Sequence, residues 1–224
     1  MRPRMTRLTP IVLTALTLAL AAGTAHAADA ASKAVTAPKP DAKADAALAK
    51  VIHESFVSKG PATVEGVTER DDVQKICSQF ADRNAVPAAV AKKLEDAQVK
   101  TIHYPADNTW LGDWKAGEKT AQSGRGMQFS DPAGGANGAN CYACHRLSKD
   151  EVSYGTIGPS LYQYGKLRGD SEAILRYTWG KIYNSNAYAA CSNMPRFGHK
   201  GILTEQQIRD VMALLFDPAS PVNQ

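Results

Sequence analysis

Apolar residues recur at helical spacing in separate stretches of the chain, and this pattern predicts an all-α protein. The clearest set, spaced i, i+3, i+4 and i+7, consists of Ile208, Val211, Met212 and Leu215. Thr204 and Gln207 precede it with the spacing of a capping box, and the pair Asp217-Pro218 follows as a stop signal. We therefore predict a terminal helix between this cap and this stop.

Weaker helical patterns precede the terminal helix. They cover residues 45–57, 71–80, 86–99, 117–129 and 171–182, with an extended connector over residues 101–114. Gly124 and Gly126 would each cost about 1 kcal/mol relative to alanine inside a helix. We interpret them as the place where the terminal helix crosses closely, and a helix that ends near Ser123 is the alternative.

The first residues have the pattern of an export signal. Three arginines and an apolar run over residues 11–22 are followed by Ala25-His26-Ala27, a small-x-small cleavage site. Residues 1–27 are therefore predicted to be a cleaved signal peptide, with an uncleaved membrane anchor as the alternative. Cleavage lowers the formal net charge from +4 to about +1, which removes the argument for nucleic-acid binding. We expect a periplasmic protein that keeps no membrane anchor.

Cys141-Tyr142-Ala143-Cys144-His145 is a C-x-x-C-H string, the attachment pattern of c-type haem. The two thiols would add to the haem vinyl groups, and His145 would be the proximal iron ligand through a neutral imidazole nitrogen. Half of a zinc site would need two further ligands nearby, and a thioredoxin-like pair would need a βαβ context. Neither is evident, so the motif predicts one covalently attached haem c.

The proximal imidazole also needs an acceptor for its second ring nitrogen, which fixes the tautomer and the ring plane. A Gly-Pro turn shortly after the motif can present a carbonyl, and we assign this role to Pro159. Trp179 lies on a later predicted helix, where a core position is favoured over contact with the haem.

A second axial ligand decides whether the iron is closed, as in an electron carrier, or open to small molecules. Met194 lies in an aperiodic loop 49 residues after His145, and Pro195 stiffens that loop. We therefore predict that Met194 is the distal ligand. The alternatives are Met127, Met212, His199 and a Cys191 thiolate. The two methionines lie on predicted helices, where methionine is more often a core residue, and the histidine would give a bis-histidine haem.

Cys77 and Cys191 remain once the haem has taken its pair. In an oxidising compartment two leftover cysteines favour a disulfide, with free or intermolecular thiols as the alternative. This bond would tie the N-terminal region to the Met194 loop and stabilise the fold by about 4–5 kcal/mol in the chain-entropy model.

Four stretches beyond the bare haem motif resemble the SoxX family, the cytochrome subunits of the bacterial SoxAX sulfur-oxidation complex. They are residues 104–131 (YPADNTWLGDWKAGEKTAQSGRGMQFSD), 140–147 (NCYACHRL), 155–169 (GTIGPSLYQYGKLRG) and 183–223 (YNSNAYAACSNMPRFGHKGILTEQQIRDVMALLFDPASPVN). The resemblance implies a class I cytochrome c fold in which Cys141 and Cys144 attach haem, His145 is proximal and Met194 is distal. It does not cover the region from Ala28 to His103.

The resemblance also implies partners and a reaction. A SoxX chain forms a heterodimer with SoxA, a larger monohaem or dihaem subunit that carries the catalytic cysteine. The complex is an L-cysteine S-thiosulfotransferase, which joins thiosulfate oxidatively to a cysteine of the carrier protein SoxYZ. SoxX itself has no catalytic residue, and it passes the released electrons to a downstream cytochrome acceptor.

These interpretations divide the chain into four parts. They are a signal peptide (1–27), a flexible linker rich in Ala, Lys and Pro (28–43), a helical N-terminal extension (44–107) and a cytochrome c haem domain (108–224). The alternatives to a SoxAX subunit are a freestanding periplasmic electron carrier and a haem enzyme with an open iron, such as a peroxidase. The long extension favours a protein that covers a partner over a simple carrier.

Overall fold

The computed structural model describes residues 42–80 and 82–224, so the predicted signal peptide and nearly all of the predicted linker lie outside it. The helices are α1 (Ala42–Ser55), α2 (Val64–Thr68), α3 (Asp72–Cys77), α4 (Ala88–Val99), α5 (Trp114–Gln122), α6 (Tyr164–Arg168), α7 (Glu172–Tyr183) and α8 (Glu205–Phe216). Short 3-10 turns cover Arg83–Ala85, Ser185–Ala187 and Pro221–Asn223. Within the described ranges, extended pairing is limited to one isolated bridge between Lys59 and Ala62. The all-α prediction is confirmed.

Helix α8 is the central element of the predicted haem domain. Its predicted capping box is present, with Thr204 accepting from the backbone of Gln207 and the Gln207 side chain accepting from the backbone of Thr204. All four predicted apolar positions are buried. Helix α5 packs across α8 at Gly117, where an added Cβ would lie 2.0 Å from the carbonyl oxygen of Asp210. The close crossing is therefore real, but it lies at Gly117, earlier in the chain than Gly124 and Gly126, to which we assigned it.

Helix α5 is also shorter than the predicted 117–129 segment. It begins at Trp114 because the Asp113 side chain caps the backbone N–H of Lys115, and it ends at Gln122. Gly124 and Gly126 both have positive φ, +57° and +118°, which is a left-handed conformation that turns the chain away from the helix axis. The alternative of a helix ending near Ser123 is therefore correct.

The other predicted helices are present among the described residues, with some differences in their bounds. Helix α1 begins at Ala42, so the last two residues of the predicted linker are helical. Helix α3 is shorter than predicted, and α4 follows Pro87 as expected. Helix α7 has Ser171 at its N-cap position, although that side chain makes no capping bond. The pattern missed α2 and α6, which have five residues each and are too short to show a helical period.

Two hydrophobic clusters hold the described region together. The larger one surrounds α8 and includes Trp179, which is 1% exposed and donates its indole N–H to the carbonyl of His103 at 2.8 Å. Trp179 is thus a core residue. The smaller cluster joins Val73 of α3 and Leu94 of α4 to Ala190. Part of the N-terminal extension is therefore built into the haem domain, next to the loop that carries Met194.

Helices long and apolar enough to cross a membrane are absent from residues 42–80 and 82–224.

Candidate haem-binding site

The C-x-x-C-H string forms a single turn that is hydrogen-bonded to the end of α5. The backbone N–H groups of Cys144 and His145 both donate to the carbonyl of Cys141, at 3.1 and 2.9 Å. The N–H of Cys141 donates in turn to the carbonyl of Ala121 at 2.8 Å. Because α5 packs on α8, these bonds fix the position of both thiols and of the imidazole relative to the core.

The imidazole of His145 is oriented by the loop that follows the motif. Its Nδ1 lies 2.7 Å from the carbonyl oxygen of Pro159, as the sequence predicted. A carbonyl can only accept, so Nδ1 carries the proton and Nε2 has a free lone pair for a metal. Gly158 makes this approach possible, since a Cβ there would lie 2.1 Å from Cε1 of His145. The Gly158 N–H also donates to the carbonyl of Cys144 at 2.8 Å, which binds the loop to the motif.

The predicted site residues surround one cavity of about 660 Å³. Its lining includes Cys141, Cys144, His145, Pro159 and Met194. Apolar side chains form much of the remaining wall, including Ile157, Leu161, Ile182, Phe197, Ile202 and Leu215. The volume lies inside the range of about 300–1,000 Å³ that is usual for buried cofactor and ligand sites.

The charged residues of the cavity are all basic. They are Arg83, Arg125, Arg168 and Lys181, and none of the described lining residues is acidic. Arg83 comes from the N-terminal extension, in the 3-10 turn between α3 and α4. Sequence reasoning missed all four, because no local motif shows which basic side chains converge on a cavity.

The two motif cysteines are free thiols. Burial is the main cause that raises the pKa of Cys141, to about 12, and the neighbouring Cys144 adds to the effect. Cys141 is therefore protonated at neutral pH, unlike the exposed, low-pKa cysteine of a thioredoxin-like redox pair. Among the described residues there is also no cluster of three or more His, Cys, Asp or Glu side chains that could hold a metal ion. Both observations oppose the zinc and redox alternatives.

Met194 is held at the cavity by its own backbone. Its carbonyl accepts from the Ser185 hydroxyl at 2.5 Å, and its N–H donates to the Ser192 hydroxyl at 3.2 Å. Its side chain also packs against the main core. His199 lies outside the cavity lining that the described residues form, and its N–H donates to the carbonyl of Tyr183 at 3.0 Å.

Met127 differs from the expectation of a core residue. It follows the end of α5 with a φ of 61°, its side chain is 51% exposed, and it lines the same cavity. Met212 is fully buried in α8, as expected. The structure therefore leaves two methionines at the cavity. Met194 has hydrogen bonds on its own backbone N–H and carbonyl and packs against the main core, whereas Met127 is half-exposed.

Cys77 and Cys191 form a disulfide in the structure, with a Cα–Cα distance of 5.7 Å and a sequence separation of 114. This bond uses the Cys191 sulfur, so a Cys191 thiolate is not available as an iron ligand. It connects the C-terminal end of α3 to the loop that carries Met194.

The residues around the cavity fit a covalently bound haem. Two thiols can form the thioethers, the free Nε2 of His145 can bind iron, and a methionine thioether is present for the sixth position. The apolar wall suits the porphyrin ring, and the basic residues can balance the two propionates. A helical domain with this arrangement is a haem-binding electron-transfer domain by class.

Comparisons with known proteins agree with this class. Residues 135–216 match the cytochrome c family. An uncharacterized lipoprotein of Aquifex aeolicus (strain VF5) is 35% identical over 168 residues, which cover 75% of this chain and 79% of that protein. The chain therefore contains a cytochrome c domain. Such a domain implies covalently bound haem c and a role in electron transfer, and together with the lipoprotein relative it indicates a location outside the cytoplasm.

Proposed function

We propose that this protein is the electron-transfer subunit of a SoxAX-type complex in the periplasm. Its substrate-side partner would be a SoxA-like haem subunit, and the thiosulfate acceptor would be a cysteine of a SoxYZ-like carrier. Joining thiosulfate to that thiol forms a sulfur–sulfur bond and releases two electrons and one proton. This chain would accept the electrons one at a time and pass them to a downstream cytochrome.

The observation that carries the electron-transfer role is that His145 and Met194 line the same cavity. One chain can therefore supply both axial ligands, which leaves no coordination position for a substrate. A closed iron transfers electrons without binding a substrate, so the bond-making step belongs to a partner. The proposal therefore assigns no catalytic residue to the present chain.

Each residue of the site has a defined task in this role. Cys141 and Cys144 would attach the porphyrin covalently, and Pro159 holds the imidazole of His145 in one tautomer and one plane. The apolar wall excludes water from the ring. Haem c supplies a one-electron couple when bound, and fixed ligands keep the two oxidation states similar in geometry.

The N-terminal extension is a second observation in favour of a partner protein. Helix α1 has the apolar side chains Leu48 and Val51 at helical spacing, and Phe56 follows the helix directly; all three are largely exposed in the described structure. Exposed apolar residues grouped on one helix are typical of a surface that another protein covers. A freestanding carrier would have no use for such a helix.

Native purification with haem counting tests the proposal. We expect a heterodimer with a second haem-bearing chain, and reduction of this haem by thiosulfate when the partner and the carrier are both present. The matched control is the carrier with its cysteine alkylated, which should abolish reduction. A monomer that copurifies with no haem protein, and stays oxidised in the complete mixture, would show that it is a freestanding cytochrome.

A further inference from the structure

Helix α3 is attached to the Met194 loop on both sides of the methionine. Cys77, the last residue of α3, is disulfide-bonded to Cys191, three residues before Met194. Asp71, the N-cap of α3, forms an ion pair with Arg196, two residues after Met194. A helix of six residues thus fixes the two flanks of the loop.

The ion pair is a built contact and not a surface pairing. The Arg196 side chain is 8% exposed, and its Nη2 lies 2.5 Å from Oδ2 of Asp71. Lys200 donates to the same oxygen at 2.7 Å. Asp71 also accepts the N–H of Gln74 at 3.0 Å, so one carboxylate both caps α3 and binds the loop. Without it, a buried guanidinium would lose its partner.

The disulfide lies in a packed environment. Val73 and Leu94 are buried beside Ala190, and Cys77 and Cys191 pack against this small cluster. The N–H of Ala190 also donates to the Glu95 side chain of α4 at 3.0 Å. Helix α3 therefore cannot slide along the loop without disturbing α4.

The loop needs this support because it has little regular structure of its own. From Tyr188 to Leu203 the chain has no helix, and Met194 is held within it by bonds to Ser185 and Ser192. A neutral thioether is a weak iron ligand, so a loop that moves would release it readily.

We propose that α3 and its N-cap, residues 71–77, form a clamp that positions Met194 as the sixth ligand. Asp71 and Cys77 are positioning residues: they hold the Met194 loop through Arg196 and Cys191 and do not touch the iron. The inference rests on the proposed assignment of Met194. Its consequence is that the N-terminal extension controls how often the iron is open to outside ligands.

Cyanide association with the oxidised full-length holoprotein measures that open fraction. Asp71→Asn removes the charge and keeps an N-cap acceptor, so α3 is retained while the loop contact weakens. The matched control is Asp72→Asn, because the neighbouring Asp72 side chain is 94% exposed and its ion pair is with Lys75 of the same helix, at 3.9 Å. We expect cyanide to bind Asp71→Asn about tenfold faster than the control, because only the open fraction of the iron can bind cyanide, so the association rate and the apparent affinity both rise with that fraction.

The paired variant Cys77→Ser/Cys191→Ser tests the other flank without leaving an odd thiol near the haem cysteines. It should accelerate cyanide binding and weaken the far-red absorption band of methionine–iron ligation. When the paired variant is combined with Asp71→Asn, the increase in the rate of cyanide binding should exceed the sum of the two separate increases. Each change made alone leaves the other attachment to hold the loop. We expect the helical circular dichroism and the haem content of Asp71→Asn to be unchanged. This result would show that faster cyanide binding comes from a mobile loop and not from a misfolded protein.

Two failures can be told apart. If Met194→Ala keeps the far-red band, the ligand assignment is wrong and the clamp has nothing to position. If Met194→Ala loses the band while Asp71→Asn and the paired variant bind cyanide like the Asp72→Asn control, the ligand stands and the clamp is overturned.

Discussion

His145 donates its Nδ1 proton to the Pro159 carbonyl across 2.7 Å, and this contact depends on the absence of a side chain at Gly158. The three residues form one rigid unit, because Gly158 also donates its N–H to the carbonyl of Cys144. Backbone atoms therefore fix the tautomer and the direction of the imidazole. A side-chain substitution cannot remove those atoms.

Gly158→Ala should disturb the proximal ligand without preventing haem attachment. The new Cβ would lie 2.1 Å from Cε1 of His145, so the ring or the loop must move. We expect a holoprotein with normal covalent haem and an altered proximal ligation, visible in the resonance Raman and absorption spectra. Gly135→Ala is the control, because its nearest neighbours lie 3.2 Å away. A spectrum identical to that of the control would show that the loop yields freely.

Met194→Ala and Met127→Ala should separate the two methionines of the cavity. We expect Met194→Ala to lose the far-red band and to bind cyanide or imidazole rapidly, because the sixth position is then open. Met127→Ala should keep the band, since Met127 is half-exposed, whereas Met194 packs against the main core. The reverse result would assign the distal role to Met127.

Loss of the disulfide should lower stability by a large amount. The bond closes a loop of 114 residues, and the chain-entropy model assigns such a loop about 4–5 kcal/mol. Urea unfolding of Cys77→Ser/Cys191→Ser, followed by circular dichroism, should give a correspondingly lower free energy of unfolding than the wild-type holoprotein. A thiol reductant should destabilise the wild type and leave the variant unchanged. Equal midpoints for the two proteins would mean that the bond is absent in solution.

Asp71 should make stability depend on pH on the acid side. Burial raises the pKa of its carboxyl, but hydrogen bonds from Lys200, from the backbone of Gln74 and from Arg196 outweigh this and hold the pKa well below its usual range. A lowered folded-state pKa means that the stabilisation is complete above the unfolded value of about 3.9 and is lost as the pH falls through the folded value.

The measurement is the difference in unfolding free energy between wild type and Asp71→Asn as a function of pH. We expect a constant difference above about pH 5 and a steady decrease below about pH 4. Asp72→Asn, which removes an exposed carboxylate from the same helix, is the control variant for this measurement. A difference that grows as the pH falls would contradict the ion pair with Arg196 and Lys200.

Local signals in the sequence were enough for much of the fold. The capping box and apolar spacing of α8 depend only on near neighbours, and the C-x-x-C-H string contains its own chemistry. The crossing glycine was misplaced because the contact at Gly117 depends on where α8 arrives, which no pattern within 117–129 can show. Helix α5 is shorter than predicted because Gly124 and Gly126 form a turn. The sequence alone does not show whether a glycine is there for a turn or for close helix packing.

The part of the site supplied by the extension was the hardest to foresee. Arg83 reaches the cavity and Asp71 binds the Met194 loop only because α3 and α4 fold back onto the haem domain. The two unassigned cysteines were the one sequence feature that connected these regions. The predicted disulfide between them gave no information about the ion pair of Asp71, which lies six residues before Cys77.

The disulfide also bears on how the protein matures. The chain contains four cysteines, and Cys77 emerges from export before both haem cysteines, whereas its partner Cys191 emerges last. An oxidant acting in order of emergence would join Cys77 to Cys141 or Cys144 and block haem attachment. Correct biogenesis therefore requires that oxidation of Cys77 wait for the C-terminal third of the chain or be corrected by disulfide exchange.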